Sequence, residues 1–531
     1  MIYDNILLML SLLFAVSMLV MLSKKLRISY PILLVLAGLV IGFIPGIPTI
    51  QLNPDIVFLI FLPPLLYYAA WHTSWKDFWQ SKRPILLMSI GLVIFTSTAV
   101  AFVSHALIPD FPLAFGFLLG GIISPPDAVA ATSVLQGLKI PKRVVTILEG
   151  ESLINDASSL IVFRFALAAI LTGQFSMVQA SGQFFLVAGM GIVIGLAIAY
   201  VVYIVHRWFP TDPSIDTALT IITPYIMYLV AETFHFSGVM AVVTGGLFLS
   251  NRSHLFLPYK SRIQATSFWQ TFTFILNGFV FILIGLQLPA IVHGLGDYSI
   301  TAAIFYGIII SLLTIVIRII WVFPGAYLPR LLFKQIRIAE PRPSLSTVFL
   351  VAWSGMRGVV SLAAALAVPF TLANGTAFPY RNLLLFITFV VIFITLVAQG
   401  LSLKWVIKKL KIAEEAEVDE QDLDLAIKLQ LAQASLDHLY SKYADEINSI
   451  EAYIRIKERY ERMAANAYKI LVEGDSESSL FVPAYRRMLK EIITAKRTAL
   501  LRLRKEQLYS DEMIRSKEWE LDLEEARLDE A

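Results

Sequence analysis

The chain has 531 residues, of which 57% are hydrophobic and only 16% are charged, and its mean hydropathy is +0.71. Water-soluble domains do not have this composition, so a soluble enzyme of this size is excluded. The absence of cysteine also excludes a disulfide framework, thiolate metal sites and cysteine nucleophiles.

The net charge of +3 combines two regions of opposite sign. Residues 1–410 contain 24 Lys and Arg against 13 Asp and Glu, whereas residues 411–531 contain 19 against 27. We therefore predict two domains, which are a transmembrane domain over residues 1–410 and an acidic, helical cytosolic tail over residues 411–531.

Apolar segments long enough to cross a hydrocarbon core of about 30 Å recur thirteen times in the first domain. In chain order they cover residues 3–22, 29–45, 54–71, 84–108, 112–136, 143–172, 181–207, 215–233, 237–251, 264–288, 298–325, 344–370 and 379–407. The first segment has neither a basic n-region before it nor a small-residue cleavage site, so it predicts a retained helix and not a signal peptide. The sequence thus indicates an all-α polytopic membrane protein with about 13 transmembrane helices.

The distribution of basic residues predicts the orientation of these spans. With thirteen spans and a cytosolic tail, the inner loops hold 20 of the 24 basic residues of the first domain, and the outer loops hold only Arg381. Three further arginines, Arg164, Arg318 and Arg357, fall inside spans. Because Lys and Arg concentrate in cytoplasmic loops, we predict an outer N-terminus and a cytoplasmic C-terminal tail in the cell membrane.

Two consecutive prolines, Pro125 and Pro126, interrupt the fifth span just before Asp127. Each proline lacks an N–H and opposes continuation of the helix, so we expect a break here. Free backbone groups persist at this depth only where they line a cavity or contact protein, which suits an ion site near the positive end of the second half-helix. The alternative is a packing kink with Asp127 as a helix cap.

The sixth span carries oxygen-bearing side chains at helical spacing. Ser152, Asp156 and Ser159 share one face at i, i+4 and i+7. Glu151 and Asn155 share a neighbouring face at i, i+4. An alkali cation needs several hard oxygen ligands, and a carboxylate that can instead take a proton makes the two ions compete. We interpret Asp156 as that carboxylate, with a purely structural hydrogen-bond network as the alternative.

The tail has helical patterns of its own. Apolar residues recur at steps of three or four over Leu436, Leu439, Tyr443, Ile447, Ile450 and Ile454. Residues 473–483 are predicted to separate this stripe from a second helix over 486–506, which is rich in strong helix formers and basic residues. The pattern favours a small helical bundle that aids assembly or folding, with regulation of transport as the alternative.

Four motifs occur in order along the membrane domain. They are LPPLL at 62–66, SPPDAVAA at 124–131, EGESLINDA at 149–157 and GMRGVVS at 355–361. Together they resemble the monovalent cation:proton antiporter-1 family, in its bacterial sodium/proton exchanger type, over about residues 3–407. The resemblance implies two inverted six-helix repeats, a dimerisation subdomain, and a core subdomain whose fifth and twelfth spans are broken and cross. It also implies an elevator-like motion that carries the ion.

The resemblance further implies the composition of the cation and proton site. Asp156 would bind either ion, and Ser152 and the carbonyl of Pro126 would be further ligands of the transported cation. Asp127 would lie close by, and we expect it to remain ionised as a fixed partner of helix N–H groups. Asn155 stands where charge-moving relatives have a second aspartate, which implies one-for-one electroneutral exchange.

Other charged residues of the core receive structural roles from the same resemblance. Glu151 would pair with Arg318. Arg357 would lie near the broken twelfth span and offset its exposed carbonyl ends.

One position departs from the family pattern. Many relatives have an acidic residue in the third span where this chain has Tyr68. A tyrosine hydroxyl can still supply an oxygen, directly or through water. Neither the residues nor the resemblance assigns a transport role to Arg164 or Glu232, for which we expect packing or interfacial roles.

The sequence therefore predicts a secondary active antiporter, and not an enzyme, that exchanges a monovalent cation, Na⁺ foremost, for H⁺ by alternating access. Potassium/proton exchange stays open, because oxygen ligands do not separate the two ions. From other classes, a cation channel or a membrane sensor signalling through the tail are the alternatives. We expect a homodimer in a lipid bilayer, no nucleic acid partner, and no cofactor beyond the transported Na⁺ or K⁺ and H⁺.

Overall fold

A computed structural model describes residues 2–45, 58–135, 138, 140–173, 177–209, 211–296, 298–339, 342–372, 375–473, 477–505 and 511–530. Over these ranges the chain forms helices and no strand, apart from one isolated antiparallel bridge between Thr371 and Ala377. The chain divides into two compact units, Met1–Glu414 and Glu415–Ala531. The predicted all-α architecture is confirmed.

The described residues of the membrane unit form twenty α-helices. They are α1 (Ile2–Leu26), α2 (Tyr30–Gly42), α3 (Leu62–His72), α4 (Trp75–Gln80), α5 (Lys82–Leu86), α6 (Val93–Leu107), α7 (Leu113–Ile123), α8 (Ala128–Leu135), α9 (Lys142–Thr172), α10 (Met177–Trp208), α11 (Pro213–Thr233), α12 (Gly238–Phe256), α13 (Tyr259–Leu286), α14 (Leu288–His293), α15 (Ile300–Leu332), α16 (Lys334–Ala339), α17 (Leu345–Trp353), α18 (Val359–Leu366), α19 (Arg381–Ile394) and α20 (Gly400–Leu410). Two π-helical segments, Leu87–Leu92 and Thr395–Gln399, connect α5 to α6 and α19 to α20.

Nine of the described helical segments are long and apolar enough to cross a membrane. They are Ile6–Leu26, Lys82–Leu107, Leu113–Leu135, Lys142–Thr172, Gly182–Trp208, Pro213–Thr233, Tyr259–His293, Ile300–Leu332 and Arg381–Leu410. Two shorter apolar helices are Tyr30–Gly42 and Phe58–His72. The chain is therefore a multi-pass membrane protein.

The predicted count of thirteen crossings and the inverted repeats stay predictions. The ninth predicted span, now α12, is short and ends in a polar stretch that includes Arg252 and His254. The twelfth predicted span is divided between α17 and α18. Residues 54–57, at the start of the third predicted span, lie outside the described residues.

The fifth and twelfth predicted spans are both broken near their middle. Helix α7 ends at Ile123 and α8 begins at Ala128, so the break contains both prolines of the motif. Helix α17 ends at Trp353 and α18 begins at Val359. Proline explains the first break because it cannot donate the helical N–H bond. The second break contains two glycines, which are poor helix formers.

The glycine pair before the first break lets α7 lie directly against two neighbours. A Cβ at Gly120 would lie 2.6 Å from the Cα of Ser97 on α6, and a Cβ at Gly121 would lie 2.9 Å from the backbone nitrogen of Phe163 on α9. Small residues allow such close backbone approach between membrane helices. Consequently α9, which carries Asp156, is held close to the broken span.

The C-terminal part is also helical, with α21 (Ile412–Lys442), α22 (Glu451–Tyr468), a π-helical segment at Lys469–Glu473, α23 (Glu477–Lys505) and α24 (Asp511–Glu530). Exposed ion pairs join α23 to α24, including Arg497 to Asp522 at 2.6 Å and Lys496 to Glu524 at 2.9 Å. Such exposed pairs contribute little to stability individually.

Two predictions for the tail are wrong. The apolar stripe over 436–454 is not one helix, because α21 ends at Lys442 and α22 begins at Glu451. The intervening segment contains Asn448 and Ser449, residue types that favour turns. The predicted separator over 473–483 is helical from Glu477 onward, and residues 474–476 lie outside the described part of the chain.

Candidate ion-binding site

The two broken spans meet at their non-helical segments. The amide of Asp127 donates a hydrogen bond to the carbonyl of Met356 at 2.6 Å. Nε of Arg357 donates in the other direction, to the carbonyl of Ile123 at 3.2 Å. A backbone N–H or C=O without a hydrogen bond costs free energy inside a membrane. Each break supplies a donor to a carbonyl of the other broken span, so these carbonyls are paired.

Asp127 caps the second half of the fifth span. Its Oδ1 accepts hydrogen bonds from the amides of Val129 at 2.8 Å and Ala130 at 3.3 Å. Its Oδ2 is buried and has no hydrogen-bond partner among the described residues. Asp127 therefore acts as a helix cap through one oxygen, and its second oxygen packs against Gly358 at the start of α18.

Arg357 occupies the centre of the second break and is only 1% exposed. Its amide donates to Oγ1 of Thr395 at 3.1 Å, and its Nη1 donates to the carbonyl of Gly355 at 2.6 Å. The guanidinium also reaches the end of α7 at Ile123. The positive charge of Arg357 thus offsets the partial negative charge of backbone carbonyl groups at both breaks.

Glu151 and Arg318 form a bidentate ion pair. Nη1 and Nη2 of Arg318 lie 2.5 and 2.7 Å from the two carboxylate oxygens of Glu151, and each side chain is 1% exposed. Arg318 Nη2 also donates to the carbonyl of Val351 at 3.2 Å. The pair therefore links α9, α15 and the first half of the broken twelfth span.

Asn155 ties α9 to the first break. Its Nδ2 donates to the carbonyl of Pro126 at 3.0 Å, and its Oδ1 is buried without a partner in the described part of the chain. Oγ of Ser152 accepts from the amide of Ala128 at 3.4 Å. Because a carbonyl oxygen has two lone pairs, Pro126 can accept from Asn155 and still coordinate a cation.

Asp156 lies in a cavity of about 780 Å³, together with Asp127, Pro126 and Ser152. The Asp156 side chain is largely buried, since the residue is only 6% exposed. Asn155, Glu151, Arg318 and Arg357 do not line the cavity and lie behind its wall. The structure therefore separates the predicted residues into a group at the cavity and a group that supports it.

Ser159 is the one predicted member of the Asp156 face that does not reach the cavity. Its hydroxyl donates to the backbone carbonyl of Asp156 at 3.0 Å, and the residue is 1% exposed. It therefore contributes to the local structure of α9 and not to the cavity wall.

Sequence reasoning missed several polar residues that line the same cavity. They include Thr132, Ser133, Gln270, Thr273, Asn277 and Ser361. Two residues that the sequence does single out, Tyr68 in the third span and Glu149 at the start of the EGESLINDA motif, also lie there. A usable signal was present on α13, because Thr273 and Asn277 are polar residues at i, i+4 within an apolar span. For the others, only the approach of separate helices reveals a shared cavity.

Arg164 and Glu232, which had no predicted transport role, contact each other. Nη2 of Arg164 on α9 lies 2.6 Å from Oε2 of Glu232 on α11, and the side chains are 44% and 27% exposed. Oε1 of Glu232 also accepts from the amide of Gly238 at the start of α12 at 3.2 Å. The pair therefore joins α9 to the α11–α12 hairpin.

Replacing Gly358 with Ala is expected to displace the Asp127 carboxylate. A Cβ at this position would lie 2.7 Å from Cγ of Asp127 and closer still to its Oδ2. Since functional groups displaced by about 1 Å can lose about a hundredfold in rate, we expect cation-driven proton flux in liposomes to fall at least about tenfold. Gly189→Ala is the matched control, because a Cβ there meets nothing within 4 Å. Equal fluxes from both variants would contradict the packing of Gly358 against Asp127.

The whole membrane unit matches known proteins. Residues 10–409 match the family described as sodium/hydrogen exchanger, transmembrane. A protein of Mycobacterium tuberculosis that is named an uncharacterized Na⁺/H⁺ exchanger is 33% identical over 96% of this chain and 93% of its own length. A sodium, potassium, lithium and rubidium/H⁺ antiporter of Bacillus pumilus is 34% identical over 77% of this chain and 61% of its own length.

The fold has a solved counterpart. The sodium proton antiporter MjNhaP1 from Methanocaldococcus jannaschii superposes with a TM-score of 0.60 at 20% identity, covering 75% of this chain and 99% of that one. At this identity the likeness concerns the fold. The family predicted from the four motifs is confirmed by the match over residues 10–409. The chain belongs to the sodium/hydrogen exchanger family.

Proposed function

We propose that this protein exchanges a monovalent cation, Na⁺ foremost, for H⁺ across a membrane, and that Asp156 binds the two ions in turn. One observation carries the proposal. Asp156 lies in a large cavity beside the break of the fifth span, where side-chain and backbone oxygens converge.

The oxygens around Asp156 suit an alkali cation. Ser152 contributes a hydroxyl, Pro126 contributes a carbonyl with a spare lone pair, and Asp127 contributes a carboxylate to the cavity lining. Hard oxygen ligands favour Na⁺ or K⁺ over soft transition metals. Asp156 couples the two ions, because the cation and the proton cannot both occupy its carboxylate.

Potassium is the second candidate ion. The Bacillus pumilus relative is named for sodium, potassium, lithium and rubidium, and oxygen ligands of this kind do not by themselves exclude the larger cations. We accordingly propose Na⁺ as the main substrate and K⁺ as an accompanying one.

The proposal includes a membrane orientation and an assembly. The basic loops would face the cytoplasm of the cell membrane, with the N-terminus outside, because 20 of the 24 basic residues of the membrane domain lie on one side in the thirteen-span topology. The protein would act as a homodimer and transport by alternating access. Crosslinking in native membranes tests the dimer, and labelling of single introduced cysteines tests the orientation in this cysteine-free chain.

Proton flux in proteoliposomes tests the exchange itself. Liposomes containing the purified protein and an internal pH dye receive external Li⁺, Na⁺, K⁺ or Rb⁺ salts. An antiporter moves protons in response to the cation gradient, and the order of the four responses gives the selectivity. A channel instead passes uncoupled current, a sensor passes neither ion, and either result would refute the proposal.

The exchange is expected to be electroneutral. Asn155 is uncharged and is held by the Pro126 carbonyl, so Asp156 would cross with one cation or with one proton and move no net charge. Each moved charge would be worth about 2.3 kcal/mol per 100 mV. The initial Na⁺/H⁺ exchange rate, measured at potentials set by a gradient of the permeant anion thiocyanate, should therefore not change with voltage. A several-fold change between zero and about 100 mV would mean that a second charge moves, and Asp127 would be the first residue to test.

A further inference from the structure

Glu149 lies on the same face of α9 as Asp156 and lines the same cavity. The described cavity-lining residues of α9 are Val145, Glu149, Ser152, Leu153 and Asp156. Residues seven apart on a helix lie nearly above one another, and the rise of α9 separates Glu149 from Asp156 by about 10 Å. The two carboxylates therefore occupy two levels of one cavity.

Glu149 lies between the cavity mouth and Asp156. We define the mouth by His72, which is solvent-exposed, and by Leu138 and Ile140 in the connection before α9. This connection leads directly into the basic residues at the start of α9. A cation entering from the basic-loop side passes the level of Glu149 before it reaches Asp156.

The Glu149 carboxylate has no hydrogen-bond or ion-pair partner among the described residues, and its residue is only partly buried. By contrast, Glu151, two positions later, faces away from the cavity and is paired with Arg318. No Lys or Arg occurs among the described residues that line the cavity. The charge of Glu149 is therefore not offset by a lysine or arginine among the described lining residues.

We propose that Glu149 is a second binding station for the transported monovalent cation, at which a partly hydrated ion is held before transfer to Asp156. The inference rests on the proposed antiport function and adds a residue to its access route. Tyr68 of α3 lines the same cavity and carries no carboxylate, so Glu149 supplies the negative charge at this level of the cavity.

Sided transport kinetics test the proposal. Glu149→Gln removes the charge and keeps the shape. Initial exchange rates are measured against cation concentration in everted and right-side-out vesicles, at an alkaline pH where protons compete least. We expect the KM for cation presented on the basic-loop side to rise about three- to tenfold, because a carboxylate on the entry route raises the local cation concentration by about that factor. The maximal rate and the KM from the opposite side should stay within about twofold of the unmodified protein, since only the entry-side station is lost.

Two control variants distinguish a local role of the Glu149 charge in cation entry from a nonspecific effect of substitution on the protein. Glu149→Asp keeps the charge and should restore most of the affinity. Asp110→Asn removes an exposed carboxylate that does not line the cavity, at a residue with φ of +55° that asparagine tolerates, and should leave both KM values unchanged.

The outcomes are distinguishable. An unchanged KM in Glu149→Gln, an equal rise from both sides, or a loss of maximal rate alone would overturn the role of Glu149 while exchange by the unmodified protein stands. No exchange by the unmodified protein would overturn the antiport function and this inference with it. If Glu149→Gln fails to accumulate, Val145→Lys places a positive charge one turn closer to the mouth, and an unchanged KM from the basic-loop side in that variant would equally overturn the proposal.

Discussion

Asp156→Asn is expected to abolish cation/proton exchange and to leave the protein folded. Asparagine keeps the size of the side chain and one acceptor oxygen, but its amide is uncharged and cannot take up and release a proton in the physiological range. No basic side chain of the described cavity lining would be left without its partner by this change. Folding should therefore be preserved, and only the competition between cation and proton should be lost.

The measurement combines proteoliposome flux with size-exclusion chromatography and thermal unfolding in detergent. Asp212→Asn is the matched control, because Asp212 caps α11 through hydrogen bonds to the amides of Ser214 and Ile215. Asparagine caps helices about equally well, and Asp212 does not line the cavity. A folded Asp156→Asn protein that still exchanges cations for protons would refute the assignment.

Glu151→Ala or Arg318→Ala alone should reduce folded yield sharply. Both side chains are 1% exposed, and removing one partner of a buried ion pair leaves an uncompensated charge, which commonly costs about 3–5 kcal/mol. The double variant should recover part of the loss. Recovery should be incomplete, because Arg318 also donates to the carbonyl of Val351.

A double-mutant cycle on thermal stability in detergent quantifies the coupling between Glu151 and Arg318. The pair of Arg164 and Glu232 provides the comparison, since its side chains are 44% and 27% exposed and exposed pairs contribute about 0–1 kcal/mol. We expect strong non-additivity for the buried pair and little for the exposed one. Simple additivity at Glu151 and Arg318 would mean that their contact contributes nothing to folding.

The two ion pairs and the hydrogen bond of Asn155 hold α9, which forms one wall of the cavity, against its neighbours. Glu151 connects α9 to Arg318 on α15, Asn155 connects it to the first break, and Arg164 connects it to Glu232 on α11. All of these contacts originate on the helix that carries Asp156. A movement of α9 that exposes Asp156 to the opposite side must carry these partners along or break the contacts.

The sequence alone determined the features that depend on local chemistry. Apolar length predicted the membrane helices, because backbone groups in a bilayer must be paired within the helix. Pro125 and Pro126 predicted the break of the fifth span, because proline has no N–H to donate. The spacing from Ser152 to Asp156 predicted a shared face on α9, because helical periodicity places residues four apart together.

Only the tertiary structure decided which of these faces meets the cavity and which meets another helix. Glu149 and Glu151 are two residues apart in one motif, yet the first lines the cavity and the second pairs with Arg318, which is more than 160 residues away in the chain. Helical periodicity predicts that they point in different directions but not what lies in either direction. The same reason explains why Arg164 and Glu232 had no predicted partner. The neighbour of a helix face is set by the packing of distant segments, and a single sequence does not contain that information.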